Sequence, residues 1–164
     1  MQAISPFLWF DDQAEQAAEF YTGIFDNSRI LNISRYPEGA AYPAGTAMSV
    51  SFVLDGLEFQ ALNAGPQYHF SEAISFFVSA DSQEKIDHLW NSLLEGGGSE
   101  GQCGWLKDRF GLSWQIVPPQ LGQLMSDPDP ERSSRTMQAM LQMQKIVIAD
   151  LQRAHDGDDD GDGA

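Results

Sequence analysis

Hydrophobic and polar positions alternate in two separate stretches of the chain, and both stretches open in the same way. An apolar, aromatic run from Ile4 to Phe10 comes first, and a similar run begins at Ala73. Residues that alternate with a period of two are typical of strands with one buried face. On this basis the sequence predicts strands at 4–10, 28–36, 46–54, 57–62, 73–80, 101–107 and 112–118. Asp55-Gly56 predicts a hairpin turn between the third and fourth of these.

Each opening strand is followed by apolar residues at helical spacing. The first helix is predicted to begin at a cap formed by Asp11 or Asp12, and the second at a cap formed by Asp81 or Ser82. The predicted buried stripes are Ala14, Ala17, Ala18, Tyr21 and Phe25 in the first helix, and Ile86, Leu89, Trp90, Leu93 and Leu94 in the second. Gly96 to Gly98 should end the second helix.

The two openings also share residues at a constant offset of 70 positions. The matching pairs are Ile4 and Ile74, Ser5 and Ser75, Phe7 and Phe77, and Asp11 and Asp81. The repeated order of strand, helix and further strands predicts an internally doubled α+β domain.

The C-terminal part follows a different pattern. Asp127-Pro128-Asp129-Pro130 is interpreted as a spacer, because each proline disfavours helix at the residue before it. Residues 131–155 are predicted to form one helix with an apolar stripe at Met137, Met140, Leu141, Ile148 and Leu151. Residues 156–164 hold five Asp and are predicted to be an acidic, disordered tail.

Composition narrows the function classes. The 164 residues carry 9 Lys and Arg against 24 Asp and Glu, a net charge of -15, which argues against nucleic acid and anionic membranes as partners. A single cysteine excludes a disulfide framework within the chain. The sequence contains neither an apolar run of transmembrane length nor a signal-peptide pattern, so a cytoplasmic location is expected.

One long block, C-G-W-L-K-D-R-F-G-L-S-W-Q-I-V-P at 103–118, carries a family resemblance. P-F-L-W-F at 6–10, A-L-N-A-G-P at 61–66, A-I-S-F-F-V at 73–78 and the segment 135–151 support it. Together they resemble the PhnB-like branch of the vicinal-oxygen-chelate superfamily, which includes glyoxalase I, extradiol dioxygenases and the fosfomycin and bleomycin resistance proteins.

The resemblance implies an architecture. It implies paired βαβββ modules, at about 3–66 and 70–120, which form a cup-shaped curved mixed sheet within a domain over 1–125, with an added C-terminal helix. It also implies a homodimer.

The resemblance further implies where a metal would be bound. The ligand positions of metal-binding relatives fall at Ser5 or Phe7, at Asn63, at Ser75 and at Gln115. Hydroxyl and amide oxygens alone bind divalent metals weakly, so we expect neither a metal nor a cofactor. Some relatives are named demethylubiquinone methyltransferases. The glycine run 96–98 follows a helix instead of opening one, so the sequence does not support that activity.

The resulting candidate pocket is aromatic and neutral. Its predicted residues are Ser75, Gln115, Asn63, Phe7, Trp9, Phe77, Trp105 and Cys103. Such a pocket suits a planar or apolar small molecule held by stacking and a few hydrogen bonds. An alternative is that the aromatic residues simply fill the sheet, and Cys103 is either a nucleophile or a small buried residue. His69 is expected in a loop, and Glu58 and Asp108 are expected to be solvated.

Three functions fit these features. The first is metal-free small-molecule binding, the second is an enzyme of the same superfamily that acts on a metabolite without a metal, and the third is an inert homodimeric interaction protein. The neutral polar groups at the ligand positions favour the first.

Overall fold

A computed structural model describes residues 2–158 of the chain. Its backbone divides into two compact units, one over residues 2–70 and the other over residues 71–158. Residues 2–158 contain eight strands and five helices, which confirms the α+β class. Among these residues, no helix combines the length and the apolar character needed to span a membrane.

The first unit contains one βαβββ module. Its elements are β1 (Phe7–Phe10), α1 (Ala14–Ile24), β2 (Arg29–Arg35), β3 (Ala47–Leu54) and β4 (Leu57–Asn63). The sheet order is β1-β4-β3-β2, in which β1 runs parallel to β4 and the other pairs are antiparallel. Asp55 and Gly56 both have positive φ between Leu54 and Leu57, which pair with each other, so the predicted hairpin is confirmed.

The second unit repeats this module and adds three helices. Its sheet strands and first helix are β5 (Ser75–Ser79), α2 (Gln83–Leu94), β6 (Ser99–Glu100), β7 (Trp105–Lys107) and β8 (Ser113–Val117). The order β5-β8-β7-β6, with β5 parallel to β8, reproduces the first sheet strand for strand. The predicted single strand over 101–107 is corrected, because Gly101 to Gly104 form a turn between β6 and β7.

Each sheet places one face against its helix. In the first unit the Tyr21 ring of α1 lies 6.3 Å from that of Phe52, which stacks on Phe59 at 5.2 Å. In the second unit Phe76 and Trp114 share the equivalent face, with ring centroids 5.5 Å apart. Strand residues alternate between faces, so every second residue belongs to what we call the helix-distal face.

The two module helices differ in how they begin. Ser82 caps α2 by accepting the Lys85 N–H at 3.2 Å, as predicted. The predicted Asp11 or Asp12 cap of α1 is wrong: the capping residue is Gln13, whose side chain makes no capping bond. The first N–H of α1, on Ala14, is accepted instead by Asn63 of β4 at 2.8 Å. A distant residue thus replaces the local cap.

The C-terminal helix is not continuous. The chain forms α3 (Pro119–Met125), which the sequence pattern missed, then α4 (Pro130–Leu141) and α5 (Ile148–Asp156). The predicted helix over 131–155 is interrupted because the Met143 and Gln144 carbonyls accept the backbone N–H groups of Cys103 and Gly104, each at 2.8 Å. A helix would use those carbonyls internally.

The predicted tail also starts later than expected. Asp156 ends α5 and Gly157 follows it in the left-handed conformation typical of a helix C-terminus. Positions 159–164 of the predicted disordered tail lie outside the described residues.

Candidate functional site

Two aromatic side chains flank a glutamine on the helix-distal face of the second sheet. Gln115 of β8 is in register with Phe77 of β5 on one side and with Trp105 of β7 on the other. Phe77 is 63% exposed, while Gln115 and Trp105 are half-buried. The predicted residues Phe77, Gln115 and Trp105 therefore form one row across three strands.

The next row along the same face is polar. Ser75 of β5, Ser113 of β8 and Lys107 of β7 are in register. The Gln115 side-chain amide reaches back from the aromatic row and donates to the Ser75 hydroxyl at 2.8 Å. Ser113 is 1% exposed, and its hydroxyl has no hydrogen-bond partner among the described residues. This row combines a satisfied serine, an unsatisfied serine and a cation.

An ion pair links this polar row to the segment that precedes β5. The Lys107 ammonium pairs with the Glu72 carboxylate, and both side chains remain substantially exposed. The hydrogen bond and charge of Lys107 lower the pKa of Glu72, and a backbone hydrogen bond at Glu72 itself contributes. Glu72 therefore stays ionised at neutral pH, and the pair places one charge of each sign beside the two serines.

The helix-distal face of the first sheet has a related pattern with less aromatic character. Phe7 of β1 is in register with Gln60 of β4, just as Phe77 is with Gln115. The next residue across the sheet is Ser51, where the second sheet has Trp105. The first sheet therefore lacks the aromatic pair around its glutamine.

Trp9 has a structural role within the first unit. Its indole N–H donates to the Gly65 carbonyl at 2.9 Å, and its ring lies edge-on to Tyr68 with centroids 4.9 Å apart. It shares the helix-distal face with Phe7, as the alternation predicts. The indole N–H is already satisfied by the loop after β4, so Trp9 offers a ligand its ring face alone.

Asn63 lies on the helix-facing side of the first sheet, opposite to Phe7 and Trp9. It is 1% exposed, accepts the Ala14 N–H and donates to the Ala47 carbonyl at 3.0 Å. Both ends of its amide are used to join α1 to the sheet. The structure therefore does not bring Asn63 to the rows that hold Phe7 and Gln60.

Cys103 lies in the turn before β7 and not in a strand. Its φ is +59°, and Gly104 follows in the same left-handed region. Its backbone N–H pairs with Met143, which holds this turn against the segment between α4 and α5. The structure does not align Cys103 with the row of Phe77, Gln115 and Trp105.

Two residues outside the predicted site behave differently from each other. His69 is exposed in a loop, as expected. Asp108 is not solvated: it is 3% exposed and accepts the Trp114 indole N–H at 2.9 Å and the backbone N–H groups of Phe110 and Leu112. Its carboxylate organises the turn between β7 and β8, because it satisfies three donors at once.

The residues present do not fit a bound metal. Among residues 2–158, no three His, Cys, Asp or Glu side chains are grouped closely enough to hold an ion. Ser75 and Gln115 offer only neutral oxygens, and their side chains already bond to each other.

A methyl-donor cofactor fits no better. The strand-to-helix connections at 11–13 and 80–82 contain no glycine that would let the backbone approach a cofactor. Gly96 and Gly97, with φ of +86° and +127°, connect α2 to β6 in the opposite direction.

The sequence contained signals for two residues that the predicted site lacks. In β4, Asn63 lies an even number of residues from the buried Phe59 and Ala61 and so shares their face. Gln60 lies between Phe59 and Ala61 and therefore faces away from α1. Lys107 lies two residues after Trp105 and therefore on the same face. No local pattern marks Glu72, which pairs with Lys107 through the fold.

The chain is similar to a known protein family over most of its length. A protein-family model described as 3-demethylubiquinone-9 3-methyltransferase matches residues 2–117. The chain belongs to this family. It is PhnB-like, and it shares its fold with the fosfomycin resistance protein FosX. Among curated proteins, none matches the PhnB-like chain.

One solved structure supports this assignment, and two others share the fold. A PhnB protein from Bacillus cereus, provisionally named a 3-demethylubiquinone-9 3-methyltransferase, is 34% identical with a TM-score of 0.67, over 71% of this chain and 99% of its own. Protein PA1353 from Pseudomonas aeruginosa (21% identity, TM-score 0.59) matches over 72% of this chain and 98% of its own. The fosfomycin resistance protein FosX from Mesorhizobium loti (12% identity, TM-score 0.52) matches over 70% of this chain and 89% of its own. The last two show the fold alone.

Proposed function

We propose that this PhnB-like chain binds a small molecule, without a metal ion, on the helix-distal face of its second module. The observation that carries the proposal is the row of Phe77, Gln115 and Trp105, in which two aromatic rings flank one amide. An aromatic ring left 63% exposed on a sheet is a stacking surface for a planar ligand.

The polar groups beside this row favour recognition over catalysis. Ser75 and Gln115 are fixed by their mutual hydrogen bond, so their remaining donor and acceptor capacity is held in one orientation. The Ser75 hydroxyl bonds to the Gln115 amide, which is not a base that could activate it as a nucleophile. Fixed hydrogen-bonding groups and stacking surfaces are what a binding site for a planar ring system requires.

The methyltransferase description of the family does not carry over to this proposal. The chain offers no glycine-bearing turn from strand to helix at either module opening, at 11–13 or 80–82. The ligand site is therefore assigned to the sheet face and not to a cofactor-binding turn.

A thermal-shift screen against cell metabolite fractions tests the proposal. A ligand that binds only the folded state raises Tm. Gln115→Ala should abolish the rise, whereas Gln60→Ala, at the matching position of the first sheet, should retain it. The proposal fails if no fraction raises Tm, or if the two variants lose the rise equally. Appearance of a new product during the incubation would instead favour the enzyme hypothesis.

We also propose that the chain forms a homodimer. Strands β1 and β5 are edge strands, and Ile4 and Ile74, which precede them, are 87% and 70% exposed. Apolar residues beside an open strand edge are stabilised when a second chain covers them. Ile4→Asp and Ile74→Asp should shift sedimentation equilibrium towards monomer, and Leu57→Asp, exposed at a turn, should not. Dimers of unchanged strength in both Ile variants would refute this interface.

A further inference from the structure

The unsatisfied hydroxyl of Ser113 is the strongest unexplained feature of the second module. A buried hydroxyl without a partner is destabilising, so nearly all such groups in folded proteins are paired. Ser113 shares the helix-distal face with Gln115, two residues further along β8. The 1% exposure of Ser113, on a face where Phe77 is 63% exposed, means that neighbouring side chains cover it.

The ion pair between Lys107 and Glu72 lies beside Ser113 in the sheet. Strands β7 and β5 lie on opposite sides of β8, so their backbones are roughly 10 Å apart. Lys107 is in register with Ser113, and Glu72 lies just before β5. The two side chains therefore meet across β8, at the end of the strand that carries Ser113. We call this pair the strap.

The strap is weak enough to open. Both of its side chains are exposed, by 40% for Lys107 and 61% for Glu72, and exposed ion pairs contribute little net stability. When the strap opens, the Lys107 ammonium and the Ser113 hydroxyl become two adjacent donors. Among residues 2–158, Glu72 is the one carboxylate that forms an ion pair with Lys107.

The spacing of the two rows fits an aromatic ring that carries an acid group. The polar row and the row of Phe77, Gln115 and Trp105 are two residues apart along the strands, or roughly 7 Å. A planar body stacked on Phe77 or Trp105 would place its acid group at Lys107 and Ser113.

We propose that the second module binds planar aromatic carboxylates, whose carboxylate displaces Glu72 from Lys107 and accepts hydrogen bonds from Lys107 and Ser113. This rests on the proposed small-molecule function and names the class of ligand. The net charge of -15 does not prevent it, because at 0.15 M salt charges more than about 8 Å away are largely screened.

Calorimetric titration with 2-naphthoate, and with the neutral 2-naphthamide as comparison, tests the class. The wild-type chain should bind 2-naphthoate at least tenfold more tightly than 2-naphthamide, because a carboxylate forms charge-assisted hydrogen bonds. Lys107→Met and Ser113→Ala should each weaken 2-naphthoate binding about tenfold. Ser113→Ala removes an unsatisfied hydroxyl, so its Tm without ligand should not fall. Equal affinity for the two probes overturns the proposal.

A matched pair of variants tests the displacement of Glu72. Glu72→Gln removes the competing carboxylate and should tighten 2-naphthoate binding roughly two- to fivefold, the range set by an exposed ion pair. Asp81→Asn removes one negative charge from the exposed pair with Lys85 in the same module and should leave binding unchanged. Equal effects in the two variants would refute a competing strap.

The outcome also separates this inference from the proposed function. If 2-naphthoate does not bind, but metabolite fractions raise Tm in a way that depends on Gln115, then the carboxylate inference is wrong and small-molecule binding stands. If no fraction raises Tm and 2-naphthoate does not bind, both are wrong.

Discussion

The Oδ1 atom of Asn63 lies 2.8 Å from the backbone nitrogen of Ala14, so a residue at the end of β4 caps the first helix. The same amide donates to Ala47 of β3 at 3.0 Å. One buried side chain therefore joins a helix and two strands.

Asn63→Ala should destabilise the fold by about 2–4 kcal/mol, because it leaves the Ala14 N–H and the Ala47 carbonyl buried without partners. Urea unfolding followed by circular dichroism measures this. Gln60→Ala, on the same strand but on the helix-distal face, should cost less than about 1 kcal/mol. Equal losses in the two variants would show that Asn63 is not the cap of α1.

Asp108→Asn should cost about 2–4 kcal/mol. The carboxylate accepts three hydrogen bonds, and an amide would direct its own N–H groups at a donor such as the Trp114 indole. Exposed Glu95→Gln is the charge-matched control and should be close to neutral. Chemical denaturation of the two variants side by side checks this, and a stable Asp108→Asn protein would contradict the assigned role.

Gly104→Ala should destabilise the second module by at least about 2 kcal/mol. Its φ is +83°, and an added Cβ would lie 2.9 Å from the Ile116 carbonyl oxygen. Gly122→Ala is the contrasting change, because a Cβ in α3 meets no atom within 4 Å and should stabilise the helix by up to about 1 kcal/mol. Differential scanning calorimetry should therefore show shifts of Tm in opposite directions, and a lower Tm in both variants would contradict this.

His155 should make the stability of the C-terminal helices depend on pH. Hydrogen bonds to Asp156 and Asp127 raise the pKa of His155, although burial opposes them. The hydrogen bond from the Asp129 backbone, and then the one to His155, lower the pKa of Asp127, whereas the bond to His155 is the main cause of the lowered pKa of Asp156. The contribution of His155 is complete below its unfolded pKa near 6.5 and is lost as pH rises through the higher folded value. The contribution of the carboxylates is present above about 3.8 and is lost as pH falls through their lowered folded values.

Urea midpoints at mildly acidic and mildly alkaline pH test this dependence. The urea midpoint of the wild-type protein should fall from mildly acidic to mildly alkaline pH, and the midpoint of His155→Gln should fall less. Two further charges near this cluster are Arg132, which contributes to the lowered pKa of both carboxylates, and Arg135, which donates to the Ala154 and His155 carbonyls. His69→Gln, in an exposed loop, should behave as wild type. A wild-type slope retained in His155→Gln would exclude this histidine as its source.

The alternation and the internal repeat determined much of the fold. Ile4 to Phe10 and the run from Ala73 predicted the two module openings, and both sheets have the same strand order. Alternation also placed Phe77 with Ser75 and Phe7 with Trp9, because successive strand residues face opposite sides whatever the sheet packs against. The Ser82 cap and the Asp55-Gly56 turn could be predicted from the sequence because both depend on residues close together in the chain.

Only the tertiary structure decided the features that depend on distant partners. Asn63, and not a residue next to α1, accepts the first N–H of that helix. The carbonyls of Met143 and Gln144 accept hydrogen bonds from the turn at Cys103 instead of bonds within a helix. The meeting of Lys107 with Glu72 and the burial of Ser113 follow from which strands are neighbours. Local patterns set the period and the faces of each element. Long-range hydrogen bonds and burial determine where the helices and strands end and which polar groups remain unsatisfied. The free energy of hydrogen bonding and of burial depends on residues far apart in sequence, so local patterns do not reveal it.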